Sequence, residues 1–154
     1  MRAGFLKVLL AILLFFSYQN VFAKITIEGS WECDYGYSYE AYELSQNLRL
    51  DFDGAANLYS IRGVVTISPS DSNKSSLHYD SLVRYSLVDK KMHSETVEFK
   101  VERMEDPNGF FDQATIDAMS NMSSNSAIEF TASGGLSFQY EDGLLFECRR
   151  PIAK

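Results

Sequence analysis

One stretch near the N terminus carries aromatic or thiol side chains at every second position. In GSWECDYGYSYEAYEL, residues 29–44, these positions hold Trp31, Cys33, Tyr35, Tyr37 and Tyr39. Side chains two residues apart point to the same face of a β-strand, so the spacing predicts one aromatic face. Such a face either packs a core or lines a binding cavity, because tyrosine combines an apolar ring with a hydroxyl that seeks a hydrogen-bond partner.

Tyrosine is the most informative residue type in the chain. Several inward-facing tyrosines are typical of an interior that is partly open to water and holds a ligand, whereas a dry core uses more Phe and Leu. The alternative is that the aromatic side chains fill a core too wide for aliphatic ones. We favour this core-packing role for Trp31 and Tyr35. The candidate ligand-binding residues are Tyr37, Tyr39, Tyr42, Tyr59 and Tyr85.

The two cysteines, Cys33 and Cys148, lie near opposite ends of the chain. In an exported protein an even cysteine count indicates a disulfide, and two cysteines allow one intramolecular pairing. The bridge requires the first and last strands to lie side by side or face each other, as they do when a sheet closes on itself. A reactive or metal-binding cysteine pair is the alternative.

Residues 1–23 have the features of a secretory signal peptide. Arg2 and Lys7 accompany an apolar run over residues 8–16, and Val21 and Ala23 provide the small residues of a cleavage site. The run is shorter than the ~20 residues that span a bilayer, so we expect cleavage and no membrane anchor afterwards. The sequence predicts a periplasmic or secreted protein with a single domain over residues 24–154.

Charge excludes some partners of this domain. Cleavage of residues 1–23 removes two of the 14 basic residues and none of the 21 acidic ones. The remaining 12 basic and 21 acidic residues give the domain a net charge of −9. Nucleic-acid binding is not expected, because it needs clustered lysines and arginines to neutralise phosphates. A basic protein partner would suit this charge, although high net charge by itself also favours solubility.

Residue types that support catalysis or bind metals are sparse. His78 and His93 are the only histidines, and both fall on predicted strands. With Cys33 oxidised, no cysteine and histidine remain to act as nucleophile and base. No nucleophile-elbow, zinc-protease or P-loop motif occurs. We therefore expect a protein that is not an enzyme, with no catalytic residue, metal or cofactor.

The elements that must position the tyrosines are mostly strands. Alternation with period two runs from a first strand at about 25–37 to a fifth centred on Val97, Phe99 and Val101, and it resumes at 128–148. The segment DGAAN at 53–57 is typical of a hairpin turn. We predict an all-β antiparallel meander of seven to eight strands that closes as a barrel. A β-sandwich is the alternative.

One short helix interrupts the strands, near 112–122. Asp112 is a suitable N-cap residue for it. The side chains expected to share one helix stripe are Phe111, Thr115, Ala118 and Met122.

Gly29-Ser30-Trp31 at the start of the first strand resembles the opening of the lipocalin and wider calycin barrels. The meander and the cysteine staple between the chain ends are also similar to such barrels. The resemblance implies eight strands around a central cavity. It also implies that Trp31 plugs the closed end and that Arg149 packs across its ring by a cation–π contact.

Two functions compete at this point. The aromatic interior favours an exported, non-catalytic carrier that holds a small apolar or aromatic ligand. The charge of −9 and the polar loops at 69–76, 105–112 and 120–126 favour a periplasmic inhibitor or immunity-type protein that binds a cationic protein partner.

Overall fold

A computed structural model of the chain describes residues 26–152. The predicted signal peptide lies outside the described residues. Eight antiparallel strands follow one another around a closed barrel, and the last strand pairs with the first. The strands and the one helix of the described part are β1 (Gly29–Ser38), β2 (Tyr42–Asp53), β3 (Leu58–Pro69), β4 (Ser75–Val88), β5 (Lys91–Glu105), α1 (Gln113–Ser120), β6 (Ser123–Phe130), β7 (Leu136–Tyr140) and β8 (Leu145–Arg149). The predicted meander barrel is confirmed, and the sandwich alternative is wrong.

The first strand begins at Gly29, four residues later than predicted. Gly29 has a φ of +86°, which interrupts the extended backbone and which residues other than glycine rarely adopt. Ile27, before this break, is nevertheless buried, and its carbonyl accepts a 2.7 Å hydrogen bond from the indole Nε1 of Trp31. The chain therefore turns beneath the barrel before β1 begins and holds Trp31 at the base.

The predicted Cys33–Cys148 disulfide is present and lies in the seam that closes the barrel. Strands β1 and β8 pair over only three residues each, and the two cysteines face each other at the centre of this pairing. The bridge closes a loop with a sequence separation of 115 residues, for which the chain-entropy account gives about 4–5 kcal/mol. A buried disulfide of this kind fits an oxidising compartment.

The cation over Trp31 is Arg150, so the prediction of Arg149 is wrong. Side chains alternate along β8, and since Cys148 points inward, Arg149 points outward to an exposed ion pair with Asp34 at 3.4 Å. Arg150 follows the end of the strand and is free to turn back under the barrel. Its guanidinium carbon lies 3.8 Å from the Trp31 ring centroid. The same group donates hydrogen bonds of 3.1 and 3.0 Å to the carbonyls of Ser30 and Thr26.

Helix α1 begins where predicted, but a different set of its side chains is packed. Asp112 accepts a 2.8 Å hydrogen bond from the backbone N–H of Thr115. The side chains packed against the upper barrel are Phe111, Ile116 and Met119. Phe111 precedes the N-cap, so the predicted stripe was counted from a residue outside the helix. Within residues 26–152, no helix has the length and apolar character needed to cross a bilayer.

Strand β5 changes its inward face part-way along. A bulge at Val97 shifts its register against β4, and bulges leave the extra residue unpaired. Val97 is therefore exposed, while Phe99 and Val101 pack inward as predicted. Below the bulge, the inward-pointing residues of β5 are Met92, Ser94 and Thr96.

The neighbouring arginines at the base allow a matched test of the Arg150 contact. We expect Arg150→Gln to lower the free energy of unfolding by about 1–2 kcal/mol, because it removes a cation–π contact and charged hydrogen bonds. Arg149→Gln should change it by less than about 0.5 kcal/mol, since exposed ion pairs contribute little. Urea denaturation of both variants measures the difference, and equal effects would contradict the assigned contact.

Candidate ligand-binding cavity

The barrel interior is filled at the base and hollow at mid-height. Trp31 is fully buried, and above it the Phe52 ring stacks on Tyr59 with centroids 4.5 Å apart. Higher up lies a cavity of about 310 Å³. Its walls come from β2 to β8, and its lining includes the polar side chains of Gln46, Tyr59, Tyr79, Ser94, Ser124 and Tyr140.

Three tyrosine phenols converge on this cavity from β3, β4 and β7. Burial raises the pKa of Tyr59 to about 12; the Ser94 hydroxyl, which is close enough to interact with the phenol as a hydrogen-bond donor, opposes the rise, and Tyr79 adds a smaller increase. Burial is also the main reason that the pKa values of Tyr79 and Tyr140 are raised, and the phenols of Tyr59 and Tyr79 raise that of Tyr140 further. All three phenols are therefore neutral near pH 7 and can donate hydrogen bonds.

The Tyr79 phenol is held by a side chain of a neighbouring part of the barrel wall. Gln46 Nε2 on β2 donates a 3.1 Å hydrogen bond over β3 to the Tyr79 hydroxyl on β4. This bond fixes the Gln46 amide and the Tyr79 ring in one wall and leaves the phenolic hydrogen of Tyr79 able to donate elsewhere.

A glycine makes room for Tyr79. Gly63 on β3 pairs directly with Tyr79 on β4. A Cβ atom built on Gly63 would lie 2.6 Å from the Tyr79 hydroxyl oxygen and would overlap the ring. The ring therefore occupies the space that a side chain at position 63 would take, an arrangement by which aromatic residues cover strand glycines.

The mouth of the cavity lies where β5 and β6 separate. These two strands pair only between residues 91–95 and 123–127. Beyond this point the backbone N–H of Thr96 donates to the carbonyl of Met122 at 2.9 Å, and no further strand pairing follows on that side of β5. Met122, Ser123 and Asp142 are the exposed members of the lining, so the opening faces the β7–β8 turn.

The five candidate tyrosines occupy three different places. Tyr59 lines the cavity, whereas Tyr85 lies outside its lining and packs edge-on against Phe52, with centroids 5.4 Å apart. The other three are at the upper edge of the barrel, where Tyr39 lies 4.1 Å from Tyr37 and 4.7 Å from Tyr42 between ring centroids. With Phe110, 6.4 Å from Tyr42, they form what we call the rim cluster.

Tyr59 is the only candidate from the sequence that lines the cavity, and the site residues that the candidates did not include are Gln46, Gly63, Tyr79, Ser94, Ser124 and Tyr140. Gln46 and Tyr140 sit at inward positions of alternating strands, and this parity was a usable signal for both. Gly63 also falls on an inward position, where glycine in a strand suggests a close approach of another group. Ser94 could not be identified from the sequence. Phe99 and Val101 indicate that odd-numbered residues of β5 point inward, but the bulge at Val97 turns even-numbered residues inward below it.

In the described part of the chain, the titratable groups outside the cavity form no comparable site. His93 points outward, where Asn125 and Glu95 accept or donate hydrogen bonds at 2.8 and 3.2 Å. The Asn125 contact is the largest cause of a raised His93 pKa, followed by Glu95. Within residues 26–152, no three His, Cys, Asp or Glu side chains are grouped so as to hold a metal ion.

Comparison with protein-family models and with curated proteins finds no match to this sequence. The geometry of the cavity is accordingly the basis for the proposals below.

Two strand glycines provide a test of the Gly63–Tyr79 contact. Gly63→Ala should lower the free energy of unfolding by about 1–3 kcal/mol, because the added methyl group overpacks the wall. Gly36→Ala is the matched control: its new Cβ would meet no atom closer than 3.9 Å, so the change should be neutral or slightly stabilising. Chemical denaturation compares the two, and a neutral Gly63→Ala would show that Tyr79 does not need this space.

Proposed function

We propose that this protein is an exported, non-catalytic binding protein that holds a small apolar or aromatic ligand in the mid-barrel cavity. The observation that carries the proposal is the cavity of about 310 Å³ inside a closed barrel. This volume is at the lower end of the range for small-molecule sites, which is about 300–1,000 Å³.

The composition of the walls supports the same proposal. Aliphatic and aromatic side chains supply most of the lining, including Leu48, Ile61, Val83 and Phe146. A few polar groups are interspersed among them, as in ligand sites where polar groups fix orientation and apolar walls supply affinity. The calycin-like opening Gly29-Ser30-Trp31 and the eight-stranded meander are consistent with this use of the interior.

A periplasmic or secreted location is part of the proposal. The predicted leader at 1–23 and the Cys33–Cys148 bridge support it together, since disulfides persist in oxidising compartments. The absence of catalysis is likewise proposed. The cavity phenols have raised pKa values, and this makes them poor bases and nucleophiles near neutral pH.

A second candidate function is binding of a cationic protein partner, as a periplasmic inhibitor or immunity-type protein does. The rim cluster favours it: Tyr37 and Tyr39 expose 47% and 51% of their surface. Glu40 and Glu43 are close to them in sequence and also exposed. Exposed tyrosine faces beside carboxylates suit lysine and arginine side chains. This function would not require the cavity.

Binding of N-phenyl-1-naphthylamine, an uncharged aromatic probe that fluoresces in apolar surroundings, tests the carrier function. Ser124 lines the cavity, whereas the next residue, Asn125, faces outward beside His93. We expect Ser124→Phe to weaken probe binding by at least about tenfold, because the added ring occupies ligand volume in a closely packed interior. Asn125→Phe adds the same ring outside and should change affinity by less than about twofold.

Fluorescence titration of the folded variants gives the two dissociation constants. If both variants bind the probe as well as the unaltered protein does, or if the unaltered protein binds neither this probe nor 2-naphthamide, the cavity is not a ligand site. If a basic protein lowers the solvent accessibility of the rim-cluster tyrosines while the probe does not bind, the second function is supported.

A further inference from the structure

The cavity contains one buried hydroxyl that lacks a hydrogen-bond partner. Ser94 is 4% exposed, points inward from β5, and lines the cavity. Among residues 26–152, no donor or acceptor meets its Oγ with hydrogen-bond geometry, although the Tyr59 phenol lies near it. Buried polar groups in folded proteins nearly always have partners, and leaving one unpaired costs stability. Ser94 is therefore placed to bond to something that occupies the cavity.

Two of the three other buried serines of the barrel, Ser75 and Ser81, differ from Ser94 in this respect. Ser81, also inward-facing, donates a 2.9 Å hydrogen bond to the carbonyl of Glu98, and Ser75 accepts one of 3.2 Å from Asn108. Neither residue lines the cavity. The buried serine without a well-formed hydrogen bond therefore lies at the cavity, whereas the two hydrogen-bonded serines lie away from it.

The charge of the lining restricts what the occupant can be. Of the described residues that line the cavity, none is Lys, Arg or His, and the single carboxylate, Asp142, is exposed at the mouth. An ionised ligand group at the depth of Ser94 would be buried without an opposite charge, which is strongly unfavourable. A neutral carbonyl or amide at that depth would instead accept from Ser94 Oγ and from the neighbouring phenol of Tyr59.

We propose that the cavity selects uncharged ring compounds that carry a carbonyl or carboxamide group, with this group bonded to Ser94 and the ring against the apolar wall. The inference rests on the proposed carrier function and adds the chemical class of the ligand. Ser94 favours ligands that carry a hydrogen-bond acceptor. Because the described lining has no charged side chain at the depth of Ser94, carboxylates and protonated amines are disfavoured.

Four naphthalene derivatives of similar size test this selectivity by isothermal titration. They are 2-naphthamide, 2-naphthoate, 2-(aminomethyl)naphthalene and 2-isopropylnaphthalene. We expect the amide to bind at least about tenfold more tightly than either charged compound, because each charged group loses its hydration without a counter-charge. Ser94→Ala should weaken amide binding by about fivefold, as expected for loss of one hydrogen bond, and leave 2-isopropylnaphthalene unchanged.

Ser81→Ala is the matched control, and unfolding supplies a second readout. Ser94→Ala should lower the stability of the free protein less than Ser81→Ala does, because only Ser81→Ala removes a well-formed hydrogen bond, that to the Glu98 carbonyl. Ser81→Ala should leave amide affinity intact. Equal affinity for amide and naphthoate, or an unchanged amide affinity in Ser94→Ala, overturns the inference while the carrier function stands. Failure of all four compounds to bind overturns the carrier function itself.

Discussion

A closed eight-stranded barrel has a set width, and the inward side chains must either fill it or leave it hollow. At the base, Trp31, the disulfide and the Phe52 stack fill the width completely. At mid-height, the inward positions of β5 and β6 carry small residues, with Ser94 paired to Ser124 across the two strands. Tyrosines from β3, β4 and β7 reach toward these small residues without filling the space, and the cavity is the remainder.

The same constraint explains why the hollow is polar in places and apolar in others. Long side chains that reach the middle from opposite walls bring their ends together, and for tyrosine that end is a hydroxyl. Tyr59, Tyr79 and Tyr140 accordingly line the same cavity, and burial raises the pKa of each phenol above its ordinary value. A ligand between them meets neutral donors on aromatic walls. That combination suits orientation of a small uncharged molecule better than chemistry on it.

The sequence was sufficient for features that depend on alternation alone. The period of two predicted the strands, the inward face of β1 and the meander, and the two cysteines predicted the seam at which the barrel closes. The sequence was not sufficient where a single residue shifts the alternation of inward and outward side chains. The bulge at Val97 conceals Ser94, and Arg150 rather than Arg149 reaches Trp31 because the strand ends between them. Whether a tyrosine lines the cavity, the core or the rim depends on its height in the barrel, which spacing does not encode.

The central claim is that ligands bind among the buried tyrosines and not at the exposed ones. Nuclear magnetic resonance of protein with ¹³C-labelled tyrosine rings, titrated with 2-naphthamide, measures this directly. We expect shift changes and ligand contacts at Tyr59, Tyr79 and Tyr140, with little change at Tyr37, Tyr39 and Tyr42. Changes confined to the second group would place binding at the rim cluster and contradict the cavity as the functional site.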